Sequence, residues 1–482
     1  MKKVFYILLI ILASFVFSLT YELKIFFNTT YLEQLLYNLF NTTTLNLISL
    51  KSLYIKLFYL TTIISCSLCI PLFIKVNKSI TIKEKKINIF PINIKKYSIS
   101  IAIISIILVC IQTGLSNYIY NQLNKSNLYE TYYVPYNKEN ITFNERRNLI
   151  YIYVESLENS NFTTSNGGIQ KESYMPNLEK LALTYTNFSN TDKIGGFKNL
   201  HGTNWTIAGM ISQTAGIPIY IKTKNNNNNF LEGATSLGDI LLENGYNNYL
   251  LLGSDANFGE RKKYFTEHGN YEILDYEYAK NNRDIPYNYK VWWGYEDKKL
   301  FEIAKSKLQS ISKNNEPFNF TLLTADTHFF EGYVDKSCEN KFPDHYTNSF
   351  YCEDIMLYDF IKWIQEQEFY NNTTIVITGD HLTMRNDFYK VNNTYERTIF
   401  NLFINTPNEA INTKKREFTA FDIYPTTLSS IGANIKDERL GLGTNLFANK
   451  KTISEEIGYN KLYKEIQKKS NYYNKYILKT SA

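Results

Sequence analysis

The chain lacks a strong charge of either sign. Its 52 lysines and arginines against 46 aspartates and glutamates leave a formal net charge of +6 over 482 residues, which is too small to indicate a nucleic-acid-binding protein. Hydrophobic residues make up 44% of the chain and charged residues 20%, and this balance excludes wholesale disorder and collagen-like fibres. A chain of this length predicts about three structural units.

Long apolar runs are missing after Leu115, but three lie before it. They are Val4 to Leu19, Leu57 to Phe73 and Ile99 to Leu115, and each approaches the roughly 20 residues that a helix needs to cross a bilayer. The first run could be the core of a signal peptide. It has no clear cleavage site and two more runs follow, so we interpret it as an uncleaved anchor. The sequence thus predicts a transmembrane anchor of three helices over residues 1–115.

The loop between the second and third runs is rich in lysine and has one opposing charge, Glu84. Its lysines are Lys75, Lys78, Lys83, Lys85, Lys86, Lys95 and Lys96. Short lysine-rich loops stay on the cytoplasmic side of a membrane, so we expect everything after about residue 116 to lie outside. A buried helical hairpin in a soluble protein is the alternative, and it leaves these lysines unexplained.

Cysteine is scarce, with five in the chain. Cys66, Cys69 and Cys110 fall within the predicted spans, where a thiol behaves as a small apolar group. Cys338 and Cys352 fall in the external part, where an oxidising compartment permits a disulfide that would contribute roughly 3 kcal/mol. A metal-binding pair is the alternative, but no histidine or further cysteine stands at ligand spacing beside them.

After a connector at residues 116–146, β-rich segments alternate with helical patterns. The predicted strands are Asn148 to Val154, Asn248 to Leu252, Phe318 to Thr324, Thr374 to Thr378 and Thr398 to Ile404. The predicted helices are Leu237 to Glu243, Lys298 to Ile311, Cys352 to Gln367 and Phe421 to Ile431. This alternation is typical of an α/β domain with a largely parallel sheet covered by helices, which we expect over residues 147–482.

Polar residues follow three of these strands, at the sheet edge where such domains place their chemistry. The strands end in Glu155-Ser156, in Asp326-Thr327-His328 and in Gly379-Asp380-His381. Carboxylates and an imidazole suit a divalent metal such as Mn²⁺ or Zn²⁺. The pattern alone favours a second interpretation, in which these residues cap helices or form buried pairs.

The segment Gly202 to Ile219 reads GTNWTIAGMISQTAGIPI, a glycine-marked turn with hydroxyls that enters an apolar helical stretch. It places Thr206 near a helix N-terminus, where backbone N–H groups favour an anionic ligand. Thr203 or Thr206 could instead serve as an N-cap without any chemistry.

The motifs YVES, GTNWTIAGM, LGDILLENGY, TADTH, TGDH and GLGTNLF follow one another over residues 147–448. In this order they resemble the lipoteichoic acid synthase and phosphoglycerol transferase group of the alkaline phosphatase and sulfatase superfamily, in particular the periplasmic phosphoglycerol transferases of Gram-negative bacteria. The resemblance implies an alkaline-phosphatase-like domain behind a multi-helix membrane anchor. The sulfatase nucleophile pattern, Cys or Ser followed by x-Pro-x-Arg, is absent, which argues against sulfate-ester hydrolysis.

The resemblance implies a metal site and a nucleophile. One divalent ion would be held by Glu155, Thr206, Asp380 and His381, with Mn²⁺ favoured and Zn²⁺ or Mg²⁺ as alternatives. Thr206 would be the catalytic nucleophile, because a bound metal activates a hydroxyl.

The resemblance also implies substrate contacts and a reaction. His328 would lie near the transferred phosphate and Arg261 would hold the head group, although Gly259 stands where the family has a tryptophan. The enzyme would move phosphoglycerol from phosphatidylglycerol, through a phospho-threonine, to a periplasmic or surface glycan. It would be a multi-pass protein of the bacterial inner membrane with its catalytic domain in the periplasm. Phosphoethanolamine transfer to lipopolysaccharide is an alternative that uses the same residues, and a non-catalytic glycan-binding membrane protein is a third.

Overall fold

The structure of the chain is a computed structural model. It describes residues 2–26, 32–41, 47–73, 79–82, 85–88, 93–314, 316–385, 387–389 and 394–480. The chain divides into two compact units, residues 1–123 and residues 124–482.

The first unit is built from long apolar helices. Its elements are α1 (Lys2–Phe26), α2 (Leu32–Asn41), α3 (Leu47–Cys69), α4 (Ile94–Thr113) and α5 (Leu115–Leu123), with β1 (Ser79–Ile82) antiparallel to β2 (Lys85–Asn88). Three stretches, Lys2–Ile25, Lys51–Leu72 and Ile94–Thr113, are long and apolar enough to cross a membrane. The prediction of three apolar helices is confirmed.

These helices keep large apolar side chains on their outer surface. Val4, Phe58 and Ile111 are 60%, 68% and 72% exposed, and a soluble helical hairpin would bury such side chains. Inside the unit, α4 contacts α1, where Ser105 Oγ donates to Ala13 O at 2.8 Å. An apolar outer face around a hydrogen-bonded interior favours a membrane setting.

Two further expectations concern the lysine-rich loop between the second and third spans and the connector at residues 116–146. Lys75, Lys78 and Lys83 of the lysine-rich loop lie outside the described residues, so the cytoplasmic placement of the loop stays a prediction. The segment expected as a connector is divided between the units: α5 belongs to the first, and the chain from Asn124 belongs to the second, where Tyr129 is buried.

The second unit alternates strands and helices. Its strands are β3 (Ile141–Phe143), β4 (Asn148–Val154), β5 (Gly196–Phe197), β6 (Asn247–Leu252), β7 (Glu272–Leu274), β8 (Phe318–Leu323), β9 (Thr373–Gly379), β10 (Ile399–Ile404), β11 (Ala433–Ile435), β12 (Arg439–Leu440) and β13 (Gly443–Thr444). Its helices are α6 (Leu128–Tyr132), α7 (Pro176–Thr184), α8 (Thr206–Ala215), α9 (Leu237–Glu243), α10 (Arg261–Glu267), α11 (Tyr276–Asn281), α12 (Asp297–Ile311), α13 (His345–Gln365), α14 (Ala420–Ser430), α15 (Ile453–Ile457) and α16 (Tyr459–Ile466), followed by a π-helical turn at Tyr473–Ile477.

Within the described residues, seven strands form the main sheet in the order β5-β10-β9-β4-β8-β6-β7. The strands from β9 to β7 are parallel, while β10 and β5 run antiparallel at one edge. The prediction of a largely parallel sheet is confirmed, with an antiparallel edge that makes the sheet mixed.

Helices cover both faces of this sheet. Along β4, Ile150 and Ile152 join the core formed with α7, α12 and α13. The alternate residue Tyr151 points to the opposite face, where its hydroxyl donates to Gln213 of α8 at 3.0 Å. Because both faces are covered, β4 is buried along its whole length.

The structure bonds Cys338 to Cys352. Cys352 lies on α13 and Cys338 lies in the segment between β8 and that helix. The disulfide therefore ties this segment to the helical layer.

Candidate active site

The central strands β4 and β9 bring their carboxyl ends together. They are paired in parallel up to Val154 and Gly379. Glu155 follows β4 directly, and Asp380 and His381 follow β9. The residues that the motifs singled out on these two strands are therefore neighbours in space.

Two glycines allow the backbone to pack closely here. A Cβ atom at Gly379 would lie 2.0 Å from Leu157 O, and one at Gly209 of α8 would lie 2.0 Å from Asp380 O. Only glycine fits at such distances. Helix α8 consequently rests on the end of β9, with Thr206 as its first residue.

The side chains of Glu155, Thr206, Asp380 and His381 converge. Thr206 Oγ1 lies 3.5 Å from Glu155 Oε2 and 3.4 Å from His381 Nε2. His381 Nε2 lies 3.4 Å from Glu155 Oε1 and 3.3 Å from Asp380 Oδ2. The ligand atoms of Glu155, Asp380 and His381 all fall within 4.8 Å of one another, and all three residues are buried.

The hydrogen bonds of this cluster fit a divalent cation. Asp380 Oδ1 accepts from the N–H groups of Ser156 and His381, both at 2.8 Å, while Oδ2 is buried and accepts no hydrogen bond from the described part of the chain. His381 Nδ1 lies 2.8 Å from Leu382 O and donates to it, which leaves Nε2 facing the carboxylates. Two carboxylates, one imidazole nitrogen and a hydroxyl are ligands that Mn²⁺ or Zn²⁺ accepts.

The electrostatics of the cluster also favour a bound cation. Burial and the neighbouring charge of Glu155 raise the pKa of Asp380 to about 7. Burial lowers the pKa of His381, but the carboxylates of Asp380 and Glu155 outweigh it and raise the pKa above its ordinary value. Negative charge packed this densely in a buried site calls for a positive partner.

Thr203 and Thr206 have different surroundings. Helix α8 has Trp205 as its N-cap and no capping side chain, so the Thr206 hydroxyl faces the cluster rather than the helix end. Thr203 Oγ1 donates to Leu200 O at 3.0 Å and accepts from Leu200 N at 3.2 Å. Thr203 therefore stabilises the turn before the helix.

His328 lies on the turn after β8. Its Nδ1 donates to Phe329 O at 2.6 Å. Burial lowers the pKa of His328 to about 4, and the positive charges of His381 and Arg261 add to this effect. At neutral pH the ring is uncharged, with a free electron pair on Nε2.

Arg261 opens α10 and is held by its own surroundings. Its Nε donates to Phe258 O at 3.0 Å, and its Nη2 donates to Ser254 Oγ at 3.2 Å and Asp255 O at 2.8 Å. Burial lowers the pKa of Arg261 to about 10, although the nearby carboxylate of Glu155 acts in the opposite direction and raises it. Gly259 has a left-handed φ of 65°, and a Cβ atom there would lie 3.7 Å from Ile207 Cγ2, beside Thr206.

The motifs did not identify Asp297, which braces the turn that carries His328. Its carboxylate accepts from Ala325 N at 2.9 Å and Asp326 N at 2.6 Å. Asp326, which the pattern offered as a further carboxylate, accepts from Asp297 N at 3.0 Å. The two side chains therefore hold the backbone and take no part in the cluster.

Trp293 is the second residue that the motifs missed, and its ring centroid lies 4.9 Å from that of His328. The doublet Trp292-Trp293, in a chain with four tryptophans, was the available signal.

The chain is similar to known proteins in sequence and in fold. Residues 147–433 match the family model described as Sulfatase. Phosphoglycerol transferase I of Xanthomonas campestris pv. campestris (strain B100) is 29% identical over 316 residues, which cover 63% of this chain and 43% of that protein. Phosphoglycerol transferase I of Escherichia coli O127:H6 is 30% identical over 310 residues, which cover 61% of this chain and 38% of that protein. The chain thus spans less than half the length of these relatives.

Among solved structures, the integral membrane protein lipooligosaccharide phosphoethanolamine transferase A of Neisseria meningitidis is similar with a TM-score of 0.52. The alignment is 14% identical and covers 89% of this chain and 84% of that chain. At this identity the likeness shows the fold alone. The second unit has the alkaline-phosphatase-like fold that the order of the motifs implied.

Proposed function

Because the chain belongs to the sulfatase family, we propose that it is a membrane-anchored, metal-dependent phosphotransferase that moves phosphoglycerol from a phospholipid to a glycan. The observation that carries this proposal is the position of the Thr206 hydroxyl, within 3.5 Å of both Glu155 and His381 in a buried cluster of metal-ligand type. A hydroxyl in such a place is a nucleophile rather than a helix cap.

The metal would be held by Glu155, Thr206, Asp380 and His381. When bound, a divalent ion lowers the pKa of a coordinated hydroxyl and offsets negative charge on a phosphate. The N-terminus of α8 adds a positive dipole end at Thr206. Both effects favour a phosphodiester lying against the Thr206 hydroxyl.

In the first step, Thr206 Oγ1 forms a bond to phosphorus as the bond from phosphorus to the diacylglycerol oxygen breaks. Oγ1 loses its proton and the diacylglycerol oxygen gains one, so the proton count is unchanged. In the second step, the oxygen of a glycan hydroxyl forms a bond to phosphorus as the bond from phosphorus to Thr206 Oγ1 breaks. The glycan hydroxyl loses its proton and Oγ1 gains one, so Thr206 is restored.

His328 and Arg261 support this reaction from outside the cluster. The uncharged His328 ring donates from Nδ1 to Phe329 O, so its Nε2 can accept the proton of the attacking glycan hydroxyl. Arg261 uses Nε and Nη2 for contacts with its own chain. Its Nη1 makes no hydrogen bond with the described residues and can donate to the head group.

The apolar helices of the first unit suit a lipid donor. Three helices able to cross a membrane would anchor the chain in the bilayer that contains the phospholipid, which raises the effective concentration of the donor. We place the catalytic domain on the periplasmic side of the bacterial inner membrane, because the lysine-rich loop between the second and third spans is expected inside.

The test uses the full chain, reconstituted with Mn²⁺ in vesicles that contain either phosphatidylglycerol or phosphatidylethanolamine. Release of diacylglycerol from phosphatidylglycerol, lost in Thr206→Ala, is the expected result. Release from phosphatidylethanolamine alone would assign the chain to phosphoethanolamine transfer. No release from either lipid would overturn the proposal.

A further inference from the structure

A strip of aromatic side chains leads from His328 to the protein surface. Its exposed members are Trp292, Trp293 and Phe330, which are 38%, 41% and 48% exposed. We call these three residues, together with Phe258, the aromatic strip. Exposed rings gathered beside a reacting centre are unusual on a soluble surface and indicate a binding site.

The rings contact one another in sequence. The centroid of Trp293 lies 4.9 Å from His328, 5.9 Å from Phe258 and 6.4 Å from Trp292. On the other side of His328, Phe329 lies 4.7 Å from His328 and 4.7 Å from Phe330. The strip is therefore continuous with the imidazole.

The two tryptophans form the tip of a tight hairpin. Val291 N donates to Gly294 O at 2.6 Å, and Gly294 N donates to Val291 O at 3.1 Å, which leaves Trp292 and Trp293 as a two-residue loop. Trp292 has a φ of 58°, although the first position of such a loop usually takes glycine. A bulky residue in this conformation is strained, and strain of this kind is concentrated at functional sites.

The hairpin is fixed to the strand that leads to Arg261. Tyr295 N donates to Gly253 O at 2.9 Å, and Ser254, which pairs with Gly294, accepts from Arg261 Nη2 at 3.2 Å. Trp292 Nε1 also donates to Ala325 O at 3.2 Å, on the turn that carries His328. The indole rings therefore have a defined position relative to both Arg261 and His328.

We propose that the aromatic strip is the acceptor subsite, where a sugar ring of the glycan stacks on Trp293. The proposal rests on the proposed function in one respect, namely that His328 faces the hydroxyl that receives the phosphoglycerol group. A sugar ring on Trp293 would bring its hydroxyl groups to His328 Nε2.

The surroundings of the strip favour a sugar over an acyl chain. Its exposed side chains are flat rings, and the exposed polar residues Asn257 and Glu331 stand next to its members Phe258 and Phe330 in the sequence. A sugar ring offers C–H groups to an aromatic face and hydroxyls to a polar rim. An acyl chain would gain nothing from the rim.

The experiment measures binding of a linear glucose hexasaccharide to the detergent-solubilised full chain by isothermal titration calorimetry. Trp293→Leu keeps an apolar side chain but removes the flat face, and it should weaken binding by about tenfold. Trp293→Phe should restore binding to within about threefold of the original chain. Tyr287→Leu is the matched control, because Tyr287 is an exposed aromatic residue outside the strip, and it should bind normally.

The release of diacylglycerol from the lipid shows whether the aromatic strip binds the glycan or the phospholipid. In the vesicle assay, the KM for phosphatidylglycerol should change less than about threefold in Trp293→Leu. A tenfold rise in this KM with unchanged hexasaccharide binding would overturn the proposal and assign the strip to the lipid. Absence of hexasaccharide binding to the original chain would also overturn it. Trp293-dependent binding without any diacylglycerol release would retain the sugar subsite and overturn the proposed function alone.

Discussion

Buried acidic groups gather at two places near the carboxyl edge of the sheet. Glu155 and Asp380 lie with His381 at the ends of β4 and β9, whereas Asp297 and Asp326 lie with Glu353 behind the turn that follows β8. The first cluster keeps Asp380 Oδ2 without a hydrogen bond from the described residues and directs it towards an imidazole nitrogen. The second cluster uses its aspartates to hold backbone N–H groups.

The two clusters use buried carboxylates in two different ways. Within the described residues, the metal-type group of three ligands within 4.8 Å is Glu155, Asp380 and His381. Burial and negative charge are common to both clusters, so neither property makes a metal site. What distinguishes the first is that carboxylate oxygens and an imidazole nitrogen converge within 4.8 Å of one another, next to the Thr206 hydroxyl.

The largest expected effect is on Thr206, the proposed nucleophile beside the first cluster. Thr206→Ala should lower diacylglycerol release by about 10⁴-fold or more, because the attacking oxygen is removed. Thr206→Ser should retain a measurable rate. Thr203→Ala is the control, and we expect it to remain active because Thr203 only holds a turn. An inactive Thr203→Ala beside an active Thr206→Ala would mean that the wrong hydroxyl was chosen.

The next largest expected effect is on the affinity for Mn²⁺, which should depend on the first cluster and not on the second. Asp380→Asn should weaken Mn²⁺ binding by at least about 100-fold, since it removes a ligand charge. Asp326→Asn, in the second cluster, should keep the affinity within about tenfold. Isothermal titration calorimetry on the full chain measures both, and equal losses in the two variants would remove the distinction between the clusters.

The third effect concerns the stability that the second cluster provides. Asp297→Asn should lower the free energy of unfolding by about 1–3 kcal/mol, because one oxygen replaces a carboxylate that holds two backbone N–H groups. Denaturant unfolding of the second unit measures this loss. A stable variant with weakened Mn²⁺ binding would contradict the assignment of Asp297 as a brace.

The smallest expected effect is on the pH dependence of stability, through Glu353 of the second cluster. Both oxygens of Glu353 are buried without a hydrogen-bond donor among the described residues, and burial with the charges of Asp297 and Asp326 raises the pKa of Glu353 well above its ordinary value. Its contribution to stability is therefore fully present below about pH 4.3 and is lost as the pH rises through the folded-state pKa. Glu353→Gln should make the free energy of unfolding less dependent on pH and should raise it by about 1 kcal/mol at pH 8. Denaturant unfolding curves measured at several pH values test both. An unchanged slope would show that Glu353 is ionised in the native protein.

Much of the fold was predictable because its central strands are long and β-rich. The strand predicted at Asn148 to Val154 has the bounds of β4. The other predicted strands differ by one residue at one end from β6, β8 and β10, and by one residue at each end from β9. β5 and β7 have two and three residues, which are too few to show the alternation of apolar and polar residues that is typical of a strand. Helix α13 begins at His345, earlier than its apolar pattern, because the side chain of Asp344 caps it by accepting from Thr347 N.

The candidate site was predictable only in part. The order of the motifs marked Glu155, Thr206, Asp380 and His381, which the structure brings together. Asp297 and Trp293 lie near His328 through packing between distant segments. The Trp292-Trp293 doublet marks an unusual segment, but the sequence does not report its contact with His328. Gly379 serves the close approach of Leu157 O, which depends on tertiary structure and has no local signal.

The most direct test of the account is peptide mass spectrometry of the full chain after incubation with phosphatidylglycerol vesicles and Mn²⁺, before any glycan is added. The account predicts an adduct with the mass of a phosphoglycerol group on the peptide that contains Thr206, and its disappearance when acceptor glycan is supplied. Diacylglycerol release without an adduct on Thr206, or with the adduct on another residue, would contradict the account.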